Sequence, residues 1–193
     1  MGKIPAFPPD APFEYLPSIA FQSEMERRDI LARGFDKLQK GEVAEEALVF
    51  GQKYKKKIES DYAPKVSVRF VNDQVGHGVF AEQTLKSERY VGEYTGIVRE
   101  NIRVYFVPLN NYCYEYPVVD SLGKHFVVDA TRGNFTRFIN HSFKPNLRPA
   151  YAFYDGFYHV IFLTLRQISK GEQLCFDYGH NYWILREAPQ ILA

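Results

Sequence analysis

The spacing of apolar positions changes once along the chain, and the change divides it. Ser23 followed three residues on by Glu26 is a capping-box start, and Met25, Ile30, Leu31, Phe35 and Leu38 recur after it at helical spacing. Gly41 stops this predicted helix. Glu42 to Ser60 supplies a second, with Val43, Ala47, Leu48, Phe50, Tyr54 and Ile58 on its apolar side. Beyond Pro64 the pattern turns to short β-rich segments punctuated by Gly, Pro and Asn. Strands are predicted at 66–71, 79–81, 90–94, 97–99, 113–116, 126–128, 150–154 and 158–165, with Asp155-Gly156 as the hairpin turn between the last two. Residues 1–20 hold Pro5, Pro8, Pro9, Pro12 and Pro17, too many for a regular element, and read as an arm that lies on something or stays mobile.

The expected organisation is therefore a Pro-rich arm and helical segment over 1–64, a compact domain over 65–183 and a short tail over 184–193. The fold class is mostly β (α+β). The apolar stripes of the two helices must be buried against something, either the domain or a second copy in a homodimer. Residues 1–60 are expected to be dispensable for chemistry.

Composition narrows the function. With 46% apolar residues in 193, a sizeable core is available and intrinsic disorder is not expected. Aromatics reach 16%, which suits a deep core or an aromatic-walled channel. The 24 Lys and Arg against 23 Asp and Glu leave +1, so a basic coat for strong direct nucleic-acid binding is excluded as the main activity. Lys53 and Lys55–Lys57 read as a solvated helix end favoured by the helix dipole. No apolar run approaches the ~20 residues of a membrane span. The first residues lack an apolar signal core, so neither a membrane partner nor a secretory signal is expected. Cys113 and Cys175 are the only cysteines. They support no disulfide framework and no four-thiolate zinc site, as expected of a soluble protein in a reducing compartment.

Four separated segments carry candidate chemistry. Gly76-His77-Gly78 opens a strand rather than a helix, so the dinucleotide fingerprint fails and what remains is backbone able to approach a flat or charged ligand. Gly92-Glu93-Tyr94-Thr95-Gly96 reads alone as an edge strand. Gly133 to Ser142 ends in Asn140-His141, followed by Pro145-Asn146; alone, these are loop-capping residues as readily as ligand contacts. Gly171 to Gly179 is a turn into a strand ending at Tyr178.

Taken in order, these segments closely resemble the SET-domain protein lysine methyltransferases. The family's R-F-I-N-H-S-x-x-P-N stretch is matched at Arg137 to Asn146, and G-E-E-L-x-F-D-Y-G at Gly171 to Gly179 with Gln173 for the usual acid. G-x-G matches Gly76–Gly78 and E-Y-x-G matches Glu93–Gly96. The Y-x-F strand corresponds to Tyr112-Cys113-Tyr114, and V-D-A to Val128-Asp129-Ala130. Phe143 stands where many eukaryotic members have Cys, and His180 to Ala193 has no Cys cluster, so no metal is expected. These departures and Tyr182-Trp183 resemble the bacterial, chlamydial-type branch.

The resemblance implies a SET fold of small curved β-sheets with a threaded C-terminal segment. It implies S-adenosylmethionine-dependent methylation of a protein lysine, on a histone or histone-like protein. It places Tyr178, Tyr112 and Phe176 along an aromatic channel for the lysine. Neutralising that lysine near pH 7.4 costs roughly 4 kcal/mol from a pKa of ~10.4, and desolvation between ring faces lowers the cost. Tyr178 orients the amine; a phenol of pKa ~10 is mostly protonated and poorly suited as a base. For the donor the resemblance names Gly76, His77, Gly78, Tyr112, Arg137, Asn140, His141, Tyr178 and Trp183. Arg137 meets the donor carboxylate or braces the fold, and Trp183 stacks on adenine or packs the tail. Glu93 and Asp177 are read as structural hydrogen-bonding groups, and His125, His159 and His180 as ordinary surface or core residues. Phe176, two residues before Tyr178, lacks the hydroxyl that would hold a crowding water, which implies di- or trimethyl-lysine as product. Tyr151 is the first suspect should transfer stop at one methyl. Two rivals are a catalytically weak SET-fold peptide-binding module and a hydrolase using Cys113 or Cys175. A cytoplasmic location is expected, or delivery into a host cell and its nucleus for a bacterial effector.

Overall fold

The computed structural model describes Pro5, Phe7 and residues 13–101, 110–119, 123–184 and 186. In chain order the elements are β1 (Ala20–Phe21), α1 (Glu24–Gln39), α2 (Glu45–Glu59), β2 (Val66–Asn72), β3 (Gly76–Ala81), β4 (Tyr90–Glu93), β5 (Ile97–Glu100), β6 (Cys113–Val119) and β7 (His125–Asp129). A 3₁₀ turn (Phe135–Phe138) follows, then β8 (Asn140–His141), β9 (Leu147–Tyr154), β10 (Phe157–Thr164), β11 (Gln173–Phe176) and α3 (His180–Trp183). The strands form three small sheets, ordered β1-β5-β7-β6, β4-β10-β9 and β2-β3-β11-β8. The fold is mostly β.

Of the predicted capping box only the Ser23 half forms, and Glu26 Oε2 is buried without a partner. Ser23 Oγ accepts from the Glu26 N–H at 3.1 Å and satisfies one of the orphan donors of α1. α2 begins at Glu45 rather than Glu42, because Ala44 caps it with extended backbone and no side-chain bond. Val43 is buried from the connecting turn instead. Lys57 is not the solvated helix end expected: its ammonium lies over the Tyr62 ring at 4.4 Å, half-buried and depressed in pKa by desolvation and by Arg89 and Lys53.

β10 is buried at every position, because β4 and β9 flank it while the helices cover its sheet. Asp155 and Gly156, both with positive φ (+52° and +80°), turn β9 into β10 as a two-residue hairpin. α2 lies so close on β9 that a Cβ at Gly51 would overlap the Phe153 carbonyl. Phe50, Tyr54 and Ile58 bury with Tyr90, Ala152, Ile161 and Leu163, and Ile30 of α1 is fully buried in the main core. The domain itself thus covers the α2 stripe and Ile30 of α1, while Met25, Phe35 and Leu38 of α1 stay exposed.

Tyr15 bridges Gly133, where the Leu16 N–H donates to the Gly133 carbonyl at 2.8 Å and the Gly133 N–H to the Glu14 carbonyl at 3.1 Å. The described part of the arm therefore lies on the domain. It ends in β1, which pairs in parallel with β5, a strand the proline count concealed.

Candidate active site

The site is built where the two long motifs meet. Asn134 caps the 3₁₀ turn by accepting from the Thr136 N–H at 3.0 Å, and its amide donates to the Glu93 carbonyl at 3.0 Å. Thr136 Oγ1 donates to the same carbonyl at 3.1 Å, so the turn carrying Arg137 and Phe138 is held down on β4. The chain then runs into β8, which pairs in parallel with β11: Asn140 faces Cys175 and His141 faces Phe176. Asn146 extends this pairing with its side chain. Its amide donates to the Gln173 carbonyl at 2.7 Å and its Oδ1 accepts from the Cys175 N–H at 2.9 Å. A buried amide used as a strand neighbour leaves no ladder group of β11 unpaired there.

Tyr178 emerges from this junction fixed at both ends. Its hydroxyl donates to the Ile139 carbonyl at 2.9 Å, and its backbone N–H donates to His141 Nδ1 at 3.1 Å. Burial pushes the hydroxyl far above the ordinary phenol range, so it is protonated at neutral pH and no base. Its ring lies 4.7 Å from Phe176 and 4.7 Å from Tyr182, and stacks on Trp183 at 11° and 6.2 Å.

A cavity of about 790 Å³ opens beside these rings. Of the residues named from the sequence, Gly76, His77, Tyr112, Arg137, Asn140, His141, Phe176, Tyr178 and Trp183 all line it. Gly78 does not. It lies behind the wall, where a Cβ would crowd the Asn140 amide and the Gln173 side chain. It is needed as a spacer, not as a contact. Asn140 donates to the His77 carbonyl at 3.0 Å, tying β8 to the glycine turn. Arg137 donates from Nε to the Ala130 carbonyl at 2.7 Å and lays its guanidinium over Tyr112 at 3.9 Å. The sequence reading missed Tyr94, Asn111, Tyr114, Tyr182 and Arg186 in the lining. Arg186 lies in the stretch expected as a tail, yet it donates to the Asn110 carbonyl and the Asn111 side chain, both at 3.0 Å, and closes one side. Only its place one turn beyond Tyr182-Trp183 could have signalled this.

Two of the lining side chains carry buried donors without protein partners. His141 uses Nδ1 as an acceptor, so its proton sits on Nε2, and that atom is buried without a protein partner. Trp183 Nε1 is likewise buried and unpaired. Both N–H groups belong to side chains that line the cavity, and a buried unpaired donor costs stability.

The family model of the SET domain matches residues 76–179. The chain belongs to the SET-domain family. This SET domain is 36% identical over 109 residues to the histone-lysine N-methyltransferase trithorax of Drosophila virilis, spanning 53% of this chain and 3% of that protein. It is 34% identical over 109 residues to the Homo sapiens histone-lysine N-methyltransferase 2B, spanning 53% of this chain and 4% of that one. Among solved structures it is similar to an active polycomb repressive complex 2 in the stimulated state, at a TM-score of 0.53 and 24% identity, covering 67% of this chain and 17% of that chain. The fold is the SET fold.

Of the other groups weighed from the sequence, Cys113 lines the cavity, whereas Glu93, Asp177, His125, His159, His180 and Cys175 do not. Glu93 is buried and accepts from His159 Nδ1 at 2.6 Å, as a structural hydrogen-bonding group. Asp177 caps the Gly179 N–H at 2.9 Å. His125 and His180 are exposed. Burial raises Cys113 and Cys175 to about 11, so neither supplies a thiolate at neutral pH, which argues against the hydrolase. Among the described residues no group of three or more His, Cys, Asp or Glu is placed to hold a metal. Tyr151 donates its hydroxyl to the Glu115 carbonyl at 3.1 Å and does not line the cavity, which removes it as the suspected gate of the channel.

Proposed function

We propose that the chain is an S-adenosylmethionine-dependent protein-lysine N-methyltransferase that forms di- or trimethyl-lysine on a histone or histone-like protein. The observation that carries this reading is the double anchoring of Tyr178 at the wall of an aromatic cavity, beside two orphan N–H donors. The relatives named as histone-lysine N-methyltransferases support it. Bound in the cavity, the donor would supply an electrophilic methyl on a sulfonium, whose sulfur would keep the bonding electrons as the lysine amine took the methyl.

The protein's part is positioning and desolvation. His141, Trp183, Asn140 and Arg137 would hold the donor, and the glycine turn would allow its close approach. Tyr112, Phe176 and Tyr178 line the lysine channel, where ring faces tolerate the ammonium while burial favours the amine. With its hydroxyl bonded to the Ile139 carbonyl, Tyr178 presents oxygen lone pairs to the transferring methyl and aligns the attack. Phe176 faces the channel with a ring packed at 4.8 Å on Phe162 and carries no hydroxyl, which leaves room for an already methylated amine.

The finer assignment is to the bacterial, chlamydial-type branch, supported by Phe143 in place of a cysteine and by the Tyr182-Trp183 ending. With it goes a cytoplasmic location or delivery to a host nucleus. Incubation with labelled methyl donor and a histone mixture, followed by mapping of the modified residue, tests the reading. Methyl groups on lysine support it; methyl groups confined to other residues contradict it.

A further inference from the structure

Arg137 reaches the cavity wall with little to hold it. Its Nε donates to the Ala130 carbonyl, and among the described residues no carboxylate pairs with its guanidinium. What surrounds the guanidinium is aromatic: Tyr112 at 3.9 Å, Phe138 at 4.9 Å and Phe13 at 5.2 Å. Tyr112 and Phe138 are cavity residues themselves. Phe13 is not. It belongs to the N-terminal arm, outside the segment that the family model matches.

The arm is pinned close to that contact. Gly133, four residues before Arg137, exchanges backbone hydrogen bonds with Glu14 and Leu16. Glu14 pairs with Arg132, and the Tyr15 hydroxyl donates to Asp61 just after α2. These three anchors fix the residues beside Phe13, whose ring then meets Phe138 edge-on at 5.2 Å and Phe7 at 4.7 Å. A long side chain with one hydrogen bond keeps a single rotamer only when packed on its faces, and ring faces also suit a cation.

We propose that the N-terminal arm is a working part of the donor pocket, with Phe13 as a positioning residue that holds Arg137 in the cavity wall. The proposal rests on reading the cavity as the donor site. It goes beyond that reading by assigning a role to a segment that precedes the SET match. The arm's attachment to Asp61 also makes the donor pocket dependent on where α2 ends.

The test uses the full chain and two conservative variants. Phe13→Leu keeps apolar bulk at the anchor and removes the ring face, whereas Phe13→Tyr keeps the ring. Affinity for S-adenosylmethionine is measured by calorimetry, with KM for donor and for a lysine peptide determined in parallel. Phe13→Leu is expected to weaken donor binding and raise donor KM roughly three- to tenfold, leaving peptide KM and the melting temperature nearly unchanged. Phe13→Tyr is expected to stay within about twofold of the natural protein. A Phe13→Leu protein that binds donor as tightly as the natural one overturns the proposal, even when the natural protein binds donor well. A natural protein that binds no donor overturns the reading of the cavity itself, and the proposal falls with it.

Discussion

The imidazole of His141 accepts a hydrogen bond at Nδ1 from the backbone N–H of Tyr178, 3.1 Å away. Residues far apart in the chain are thereby locked together, and the lock requires a neutral imidazole with its proton on Nε2. A protonated ring would carry hydrogen on both nitrogens and turn the contact with the N–H repulsive.

This lock predicts an acid weakness. Burial lowers the pKa of His141, with Asp177 opposing, so its folded value lies below the ordinary ~6.5. Its contribution to stability is complete above that ordinary value and is lost as pH falls towards the folded value. Donor affinity, which involves no lysine amine, is expected to drop over the same window. His141→Ala should weaken donor binding at every pH and remove this part of the dependence. A natural protein whose donor affinity is flat between pH 7.5 and 5 would contradict the tautomer assigned here.

His159 gives the opposite slope. Its burial lowers the pKa, but the charge of Glu93 and the hydrogen bond to it prevail, and the net shift is upward. Its contribution to stability is present below ~6.5 and is lost as pH rises through the higher folded value. His159→Gln should cost about 3 kcal/mol near neutrality, because Glu93 stays buried without its cation, and should flatten the alkaline limb. Melting temperatures from pH 6 to 9 for both proteins decide it; parallel curves would refute the pairing.

The contact of α2 with β9 makes Gly51 irreplaceable. An added methyl would meet the Phe153 carbonyl, so Gly51→Ala should destabilise by roughly 1–3 kcal/mol in urea unfolding. Removing both helices should do more, since Tyr90, Ala152, Ile161 and Leu163 would lose their cover. A chain starting near Lys65 is therefore predicted to aggregate rather than bind donor as the sequence alone suggested. A soluble, donor-binding truncation would show that the helices are an appendage.

Product number should respond to hydroxyls in the channel. Phe176→Tyr adds one beside Tyr178, worth about 1 kcal/mol through a held water, and should shift product several-fold towards monomethyl-lysine. Tyr114 lines the cavity where the family's strand has Phe, with its ring 6.3 Å from that of Phe176. Tyr114→Phe should push product towards trimethyl-lysine. Time-resolved mass spectrometry of a peptide reads both shifts, and unchanged distributions in both variants would move the control elsewhere.

Much of this site was legible because its residues lie in two long motifs whose order and spacing survive in one chain. The Ser23 cap and the Asp155-Gly156 turn were legible for a different reason: each is a local rule with a single geometric outcome. Pairings of distant segments were not. Nothing in the residues around Ala20 announces a parallel partner at Ile97, because a two-residue strand has no period to read. Phe13 was hidden among prolines, and its value lies in what it touches 124 residues later. Arg186 was missed because it follows the last motif, and only the turn of α3 brings it back over the cavity. Gly78 shows the converse, a motif residue whose role is to stay out of the way.

The most direct measurement follows methyl-lysine and demethylated donor together, with a histone substrate, for the natural protein and Tyr178→Phe. The account predicts one demethylated donor for each methyl found on lysine. It predicts a loss of turnover of roughly a hundredfold in Tyr178→Phe, with donor affinity changed by less than about threefold, because the hydroxyl aligns the reacting groups while other residues hold the donor. Turnover in Tyr178→Phe close to that of the natural protein would place the active site elsewhere.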